Sequence, residues 1–263
     1  MRKYWAIFKI TWQDAVEYRM EFIGHMMLSL ISLLVMYFIW SAVFKERTYF
    51  GNYTFSSMMT YMILVRFLHF VKRSNVGRAI AEEIKEGRLS VYLIKPVSYL
   101  RWWLASFLAE RLFEAILRIF MLFVFLLLFP KVFNFPGISR FLIVLIFLVV
   151  SLFINFLFNL FVATCAFFVT DIKLFHSSLF LVVDFLAGGQ FPIDLMPAFL
   201  KAAGNFLPFQ FMVFFPVKIY QGEFSLAQIF QGILICLVWI IFLTYVLRIF
   251  WLKGVKKYEA IGL

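Results

Sequence analysis

The sequence has too few polar residues to cover a soluble protein. Only 15% of its 263 residues are charged, whereas 64% are hydrophobic and 21% are aromatic. A soluble surface needs more polar side chains than this, so most of the surface must face lipid. The formal charge of +11 does not indicate a nucleic-acid partner, because the basic residues are confined to particular loops, as the orientation rule for membrane helices predicts.

Cysteine and histidine are too scarce and too scattered to indicate a metal or catalytic centre. Cys165 and Cys236 lie in apolar runs without CxxC spacing and are interpreted as small buried hydrophobes. His25, His69 and His176 are widely separated and form no HExxH pattern. No G-x-x-x-x-G-K-[ST] phosphate loop occurs, so the chain cannot bind ATP in that manner. The sequence therefore predicts no catalytic, metal-binding or cofactor-binding residue and no enzyme.

Long apolar runs take up most of the chain and predict a single transmembrane domain over residues 1–263. A helix needs about 20 apolar residues to cross a hydrocarbon core of about 30 Å. The six predicted spans are 22–44, 55–71, 102–129, 141–169, 177–190 and 224–251. The third is too long for a simple crossing, so we expect its first turns to project into the inner interface.

Two further segments are apolar but do not read as spans. Residues 1–21 place Trp5, Phe8 and Trp12 on one helical face, which predicts an amphipathic helix in the membrane interface; a basic flank of the first span is the alternative. Residues 191–222 hold four of the seven prolines and predict a re-entrant helical hairpin before the last span. The predicted fold is thus an all-α membrane protein with six transmembrane helices and these two additions.

The distribution of Lys and Arg predicts the orientation. Sixteen of these residues fall in the N-terminal segment, the loop 72–101, the turn 170–176 and the C-terminal tail, all on one side of the predicted membrane. Six fall on the other side: Lys45, Arg47, Lys131, Arg140, Lys201 and Lys218. The positive-inside rule therefore places both termini in the cytosol.

The loop 72–101 is the longest strongly polar segment. Residues 79–85 predict a short helix, Gly87 a stop and Pro96 a second break. A short charged helix between two spans is suited to contact with a soluble partner, although a solvated loop without a partner fits the residues equally well.

Three of these features resemble the membrane subunit of type 2 ABC exporters. They are the amphipathic N-terminal helix, the loop EIKEGRLSVYLIKP at 83–96 and the proline-rich segment GGQFPIDLMPAFLKAAGNFLPFQFMVFFPVKIYQG at 188–222. The first is similar to the family's interfacial helix, the second to its coupling segment and the third to its re-entrant pair. Their order in one chain is more specific than any of them alone.

The resemblance implies a small bacterial permease in the plasma membrane that forms the translocation pathway as a homo- or heterodimer. A separate ABC ATPase, which would hold ATP and Mg²⁺, would drive it. The coupling residues implied by the resemblance are Glu82, Glu83, Lys85, Glu86, Gly87, Arg88 and Leu89.

Ionisable residues at membrane depth are costly and mark candidate functional positions. Glu110, Arg111, Glu114 and Arg118 form one helical stripe without net charge, with Glu114 and Arg118 in the favourable i,i+4 order. They either line an inner gate or subunit interface, or form a self-neutralised structural patch. Arg66 is expected to snorkel or to pair with a residue elsewhere in the chain.

Asp184 precedes the break that begins at Gly188 and Gly189 and continues through Pro192 and Pro197. These five residues are candidates for the pathway or gate, and Asp184 either faces water or caps a broken helix. An ATP-independent secondary transporter or channel is the alternative function. It predicts coupling carboxylates near mid-bilayer and an internal repeat, and Asp184 is the isolated acidic candidate in a sequence without an evident repeat.

Overall fold

The computed structural model describes residues 2–68, 76–128, 136–169 and 172–258. His69 and residues 72–75 of the polar loop lie outside this part of the chain. Within it, the chain forms α1 (Arg2–Glu17), α2 (Arg19–Val43), α3 (Phe55–Phe67), α4 (Val76–Lys85), α5 (Leu89–Leu93), α6 (Tyr99–Leu128), α7 (Ile138–Thr164), α8 (Ile172–Leu186), α9 (Ala198–Phe206), α10 (Phe214–Gln221) and α11 (Leu226–Lys257). Short 3₁₀ turns lie at Cys165–Phe167, Ile193–Leu195 and Pro208–Met212.

Three described helices are long and apolar enough to cross a membrane: α2, α7 with its 3₁₀ extension, and α11. Two shorter apolar helices, Phe55–Phe67 and Leu174–Leu186, match the second and fifth predicted spans. Helix α6 has 30 residues and a length of about 45 Å, but its charged residues set it apart from the three apolar helices. In its described residues the chain is therefore an all-helical membrane protein with three clearly apolar spans.

Helix α3 is buried along most of its length. Every residue from Met58 to Arg66 is buried, as expected of a helix that is hydrophobic all round. Its start is fixed by a capping box, in which Ser57 N donates to Thr54 Oγ1 and Thr54 N donates to Ser57 Oγ. Contacts with α2, α6 and α10 surround it.

The amphipathic helix α1 packs along α6. Trp12 and Phe113 meet edge to face with ring centroids 5.5 Å apart, and Thr11 Oγ1 donates to Ser106 Oγ at 3.2 Å. The chain breaks its helical path at Tyr18 before α2 begins. Because α1 and α2 are separate helices, α1 is not a continuation of the first span.

The helical structure is interrupted between α8 and α11, where the four prolines lie. Gly188 ends α8 with φ of +79°, a left-handed conformation that L side chains rarely adopt, and a Cβ there would lie 2.7 Å from Tyr61 Oη. The short helices α9 and α10 follow, joined by the 3₁₀ turn. Phe214 N donates to the Ala187 carbonyl at 3.1 Å, so the start of α10 returns to the end of α8.

Candidate functional site

The predicted coupling segment consists of α4, a turn and α5. The turn is set by Gly87, whose φ of +76° permits the sharp stop after α4. The described part of α4 begins at Val76, three residues before the predicted start, and Val76, Gly77 and Ile80 are buried against the rest of the protein. One face of the segment is therefore anchored and the other is left in solvent.

The anchored face approaches α7 through Gly77. A Cβ at Gly77 would lie 2.9 Å from both the backbone and the side-chain oxygen of Asn159, and 3.1 Å from His176 Nε2. Asn159 is held in place because its Nδ2 donates to the Asn155 carbonyl at 2.9 Å. The glycine thus permits an approach between two helices that no larger residue allows without a shift.

Glu83 belongs to the anchored face. It is buried, and Tyr99 at the start of α6 donates its hydroxyl to Glu83 Oε2 at 2.6 Å. Burial, and then the neighbouring Glu83 charge, raises the pKa of Tyr99, so the phenol stays protonated and remains a donor. The structure therefore places Glu83 where it holds α4 against α6 and not at a surface available to a partner.

The exposed part of the segment is its tip. Glu86 and Arg88 form an ion pair of 2.6 Å, and both side chains are 58% exposed. Glu82 pairs with Arg78 at 3.1 Å, Lys85 is half-buried, and Leu89 is fully buried below the turn. Of the predicted coupling residues, Glu86 and Arg88 are thus the most accessible to a partner.

The four charges of α6 pair with one another. Arg111 Nη1 lies 2.7 Å from Glu114 Oε2, and Arg118 Nη2 lies 2.8 Å from Glu114 Oε1. Glu110 lies 3.4 Å from Arg111 and is half-buried, whereas the other three are buried. This is the arrangement that a self-neutralised patch requires; a role of Glu114 and Arg118 in a gate stays a prediction.

Arg118 also joins α6 to α3, because its Nη1 donates to the Arg66 carbonyl at 2.8 Å. Arg66 itself is buried, and its Nε has no hydrogen-bond partner among the described residues. Its guanidinium is held inside the protein, although snorkelling to the surface was one of the two expectations.

Asp184 takes part in the turn that ends α8. Gln190 Nε2 donates to Asp184 Oδ2 at 2.8 Å, and Gly189 N donates to the Asp184 carbonyl at 2.9 Å. Tyr61 of α3 donates its hydroxyl to the Gly188 carbonyl at 2.7 Å. These bonds fit the capping interpretation of Asp184 and satisfy polar backbone atoms where the helix stops.

The remaining predicted gate residues shape the same break. Pro192 precedes the 3₁₀ turn Ile193–Leu195, and Pro197 precedes α9. This group and the α6 charges both contact α3, the first through Tyr61 and the second through the Arg66 carbonyl. The predicted gate residues therefore form two clusters, both in contact with α3.

Lys218 belongs to a third charged cluster. The sequence did not predict it, because Lys218 was counted with the basic residues of an outer loop. Lys218 is 2% exposed, and its Nζ lies 2.8 Å from Asp194 Oδ2 and 2.6 Å from Glu223 Oε2. It also lies 4.2 Å from the centroid of the Tyr53 ring, whose hydroxyl donates to Asp194. One feature of the sequence could have predicted this cluster: Lys218 is a lone lysine in the apolar run FFPVKIYQ, and a buried charge needs partners.

The described residues hold no group of His, Cys, Asp and Glu that could bind a metal ion. Their chemistry consists of paired charges, a helix break and an exposed charged tip on an all-helical membrane scaffold. This combination defines a multi-pass membrane protein.

Residues 30–262 match the family model described as ABC-2 family transporter protein, which is most of the chain. The chain belongs to this family, and the resemblance to type 2 ABC permeases is confirmed. Its role is therefore that of a permease-type transport component that is not itself catalytic, in a family whose members work with an ABC ATPase. No match was found among curated proteins.

Proposed function

We propose that the chain is the permease subunit of an ABC exporter in the bacterial plasma membrane, forming the translocation pathway as a dimer. ATP and Mg²⁺ would be held by a separate ATPase. The observation that carries this proposal is the construction of the coupling segment, whose charged tip is exposed while α4 packs on α7 and is joined to the start of α6 by the Tyr99–Glu83 hydrogen bond.

The coupling segment can transmit force only if it is held rigidly against the membrane helices. Closure of an ATPase pair would push the tip at Glu86 and Arg88, and α4 would pass the displacement to α7 at Gly77 and to α6 at Tyr99. A disordered loop would absorb the same displacement. The positions of Glu83, Gly87 and Leu89 fit this role, because each is buried beneath the tip.

The proposed topology has six spans, formed by α2, α3, α6, α7, α8 and α11, with both termini in the cytosol. The excess of Lys and Arg on the predicted inner side supports this orientation. Helices α9 and α10 would form the re-entrant pair, since the start of α10 returns to the end of α8 through the Phe214–Ala187 hydrogen bond. The break from Asp184 to Pro197 is then the candidate outer gate, and Glu114 with Arg118 fastens α6 to α3.

The test is purification of the tagged permease together with its ATPase after mild solubilisation. The double variant E86K/R88E keeps the net charge but reverses the pattern at the tip. We expect it to lower the amount of co-purified ATPase by about tenfold or more, because rearranged charges at an interface cost about 1.4 kcal/mol or more.

The matched control is E46K/R47E, which makes the same exchange at two exposed residues between α2 and α3. This variant should retain the ATPase. Equal retention by both double variants would contradict the coupling assignment. A permease that purifies from native membranes without any ATPase would favour the secondary transporter or channel instead.

A further inference from the structure

A polar chamber opens between the start of α3, the start of α7 and the end of α10. It encloses about 410 Å³. Most of its lining is hydroxyl, amide or charged, and includes Thr54, Ser57, Thr60, Arg140, Gln221 and Glu223. Such a chamber offers several donors to an oxygen-rich group.

An apolar chamber lies next to it between α3, α6, α7 and α10. It encloses about 350 Å³ and is lined by hydrocarbon side chains, among them Leu64, Leu145, Pro216 and Val217. Cavities of this size fall within the range of ligand pockets. Apart from the Tyr220 hydroxyl, no lining side chain of this chamber would stabilise a charged or strongly polar ligand.

The two chambers form one groove. Tyr220 lines both of them. On α3 the lining passes from Thr60 to Leu64, and on α7 from Arg140 to Val144. Each step is one helical turn, so the polar chamber lies directly above the apolar one along both helices.

The length of the groove corresponds to one half of a bilayer. From Thr54 to Leu68 along α3 the lining covers a rise of fourteen residues, or about 21 Å. A bilayer is about 40–45 Å thick when its headgroup regions are included, so one leaflet measures about 20–22 Å. A polar mouth above an apolar slot of this depth has the shape of a lipid in a single leaflet.

We propose that this groove holds one resident phospholipid, with its phosphodiester beside Arg140 and an acyl chain in the apolar chamber. The Arg140 side chain is exposed, and its guanidinium packs over Gly222 so closely that a Cβ there would overlap it. A guanidinium binds phosphate in a bidentate manner. Lys218, which Glu223 shares with Asp194, offsets part of the negative charge that Glu223 would present to the phosphate. The inference depends on the proposed topology only for the leaflet, which would be the outer one.

The test is native mass spectrometry of the purified protein titrated with phosphatidylethanolamine. Leu145→Trp fills the apolar chamber, and the control Leu142→Trp adds the same bulk on α7 outside it; the two leucines are 41% and 55% exposed. The wild-type protein and L142W should keep one lipid per chain. L145W should bind it about tenfold more weakly.

The headgroup contact is tested by Arg140→Gln against Arg47→Gln, an exposed arginine that does not line the groove. R140Q should weaken binding severalfold and R47Q should not. Glycerophosphoethanolamine, which has no acyl chain, should fail to compete, because the chain supplies most of the buried area.

Several results would overturn the proposal. They are a wild-type protein that retains no lipid, equal binding by L145W and L142W, and equal binding by R140Q and R47Q. Loss of the second permease chain from L145W would assign the groove to the subunit interface, and release of the lipid on ATP addition would make it cargo. ATPase co-purification from the same samples keeps the two proposals apart, because lipid retained without any ATPase contradicts only the proposed function.

Discussion

Lys218 shows how a buried charge is accommodated at the residue scale. Two carboxylates and an aromatic ring surround its ammonium group, so the cost of removing it from water is offset by close partners. The partners come from different parts of the chain: Tyr53 follows α2, Asp194 follows α8, and Glu223 follows α10. One lysine therefore fixes three turns relative to one another.

We predict that Lys218→Met destabilises the solubilised protein by about 1–3 kcal/mol, because it leaves Asp194 and Glu223 without their shared cation. The loss should stay below that of a fully buried pair, since the two carboxylates are 23% and 42% exposed and can be hydrated. The measurement is the temperature at which half of the protein remains monodisperse in size-exclusion chromatography. Lys201→Met, an exposed lysine outside the cluster, is the control, and equal melting of the two variants would refute the prediction.

At the scale of structural elements, the close approach of α4 to α7 sets the position of the coupling segment. The Cβ that Gly77 lacks would meet a backbone oxygen of α7, which cannot rotate away as the end of a side chain can. Gly24 in α2 also lies within a helix but has open space around it. Both glycines lower the stability of their helices by the same backbone entropy, but Gly77 is tightly packed and Gly24 is not.

This difference predicts opposite signs for the same substitution. Gly24→Ala should raise stability by up to about 1 kcal/mol, because alanine is the better helix former and nothing obstructs its methyl group. Gly77→Ala gains the same propensity but should lower stability and weaken ATPase co-purification, because α4 must move off α7. Thermal midpoints of both variants in one detergent decide the question. If the Gly77→Ala and Gly24→Ala proteins were equally stable, α4 could accept a methyl group at residue 77 without moving, and the prediction would be wrong.

For the whole molecule, the proposed topology predicts which residues can be reached from each side of the membrane. In a background with Cys165 and Cys236 replaced, single cysteines at Arg47, Lys201 and Leu226 should react with an impermeant thiol reagent applied outside intact cells. A cysteine at Arg88 should react only after permeabilisation. All four positions are exposed on the protein, so access to the reagent and not burial decides the outcome.

Lys201 is the decisive position, because α9 lies inside the proposed re-entrant pair. If its cysteine reacts from the cytosolic side while that at Leu226 reacts from outside, residues 191–222 cross the membrane and the six-span arrangement is wrong. If both react from outside, the segment returns to the side from which it started.

Patterns within one helix could be predicted from the sequence, and contacts between distant segments could not. The stripe on α6 was visible because Arg111, Glu114 and Arg118 interact at spacings of three and four residues. By contrast, the Tyr61–Gly188 bond joins residues 127 positions apart, and neither residue carries a local sign of the other. Glu83 looked like part of a charged surface because its partner is the hydroxyl of Tyr99, not a charge at helical spacing.

The packing of α1 on α6 sets an order of events during synthesis. Thr11 and Ser106 are 95 residues apart in the chain, so the surface that receives α1 does not exist when α1 leaves the ribosome. At about 5–20 residues per second, the wait lasts roughly 5–20 s. During that time the tryptophan face of α1 has only the membrane surface to rest on, so α1 stays at the bilayer surface until the first half of α6 has been synthesised.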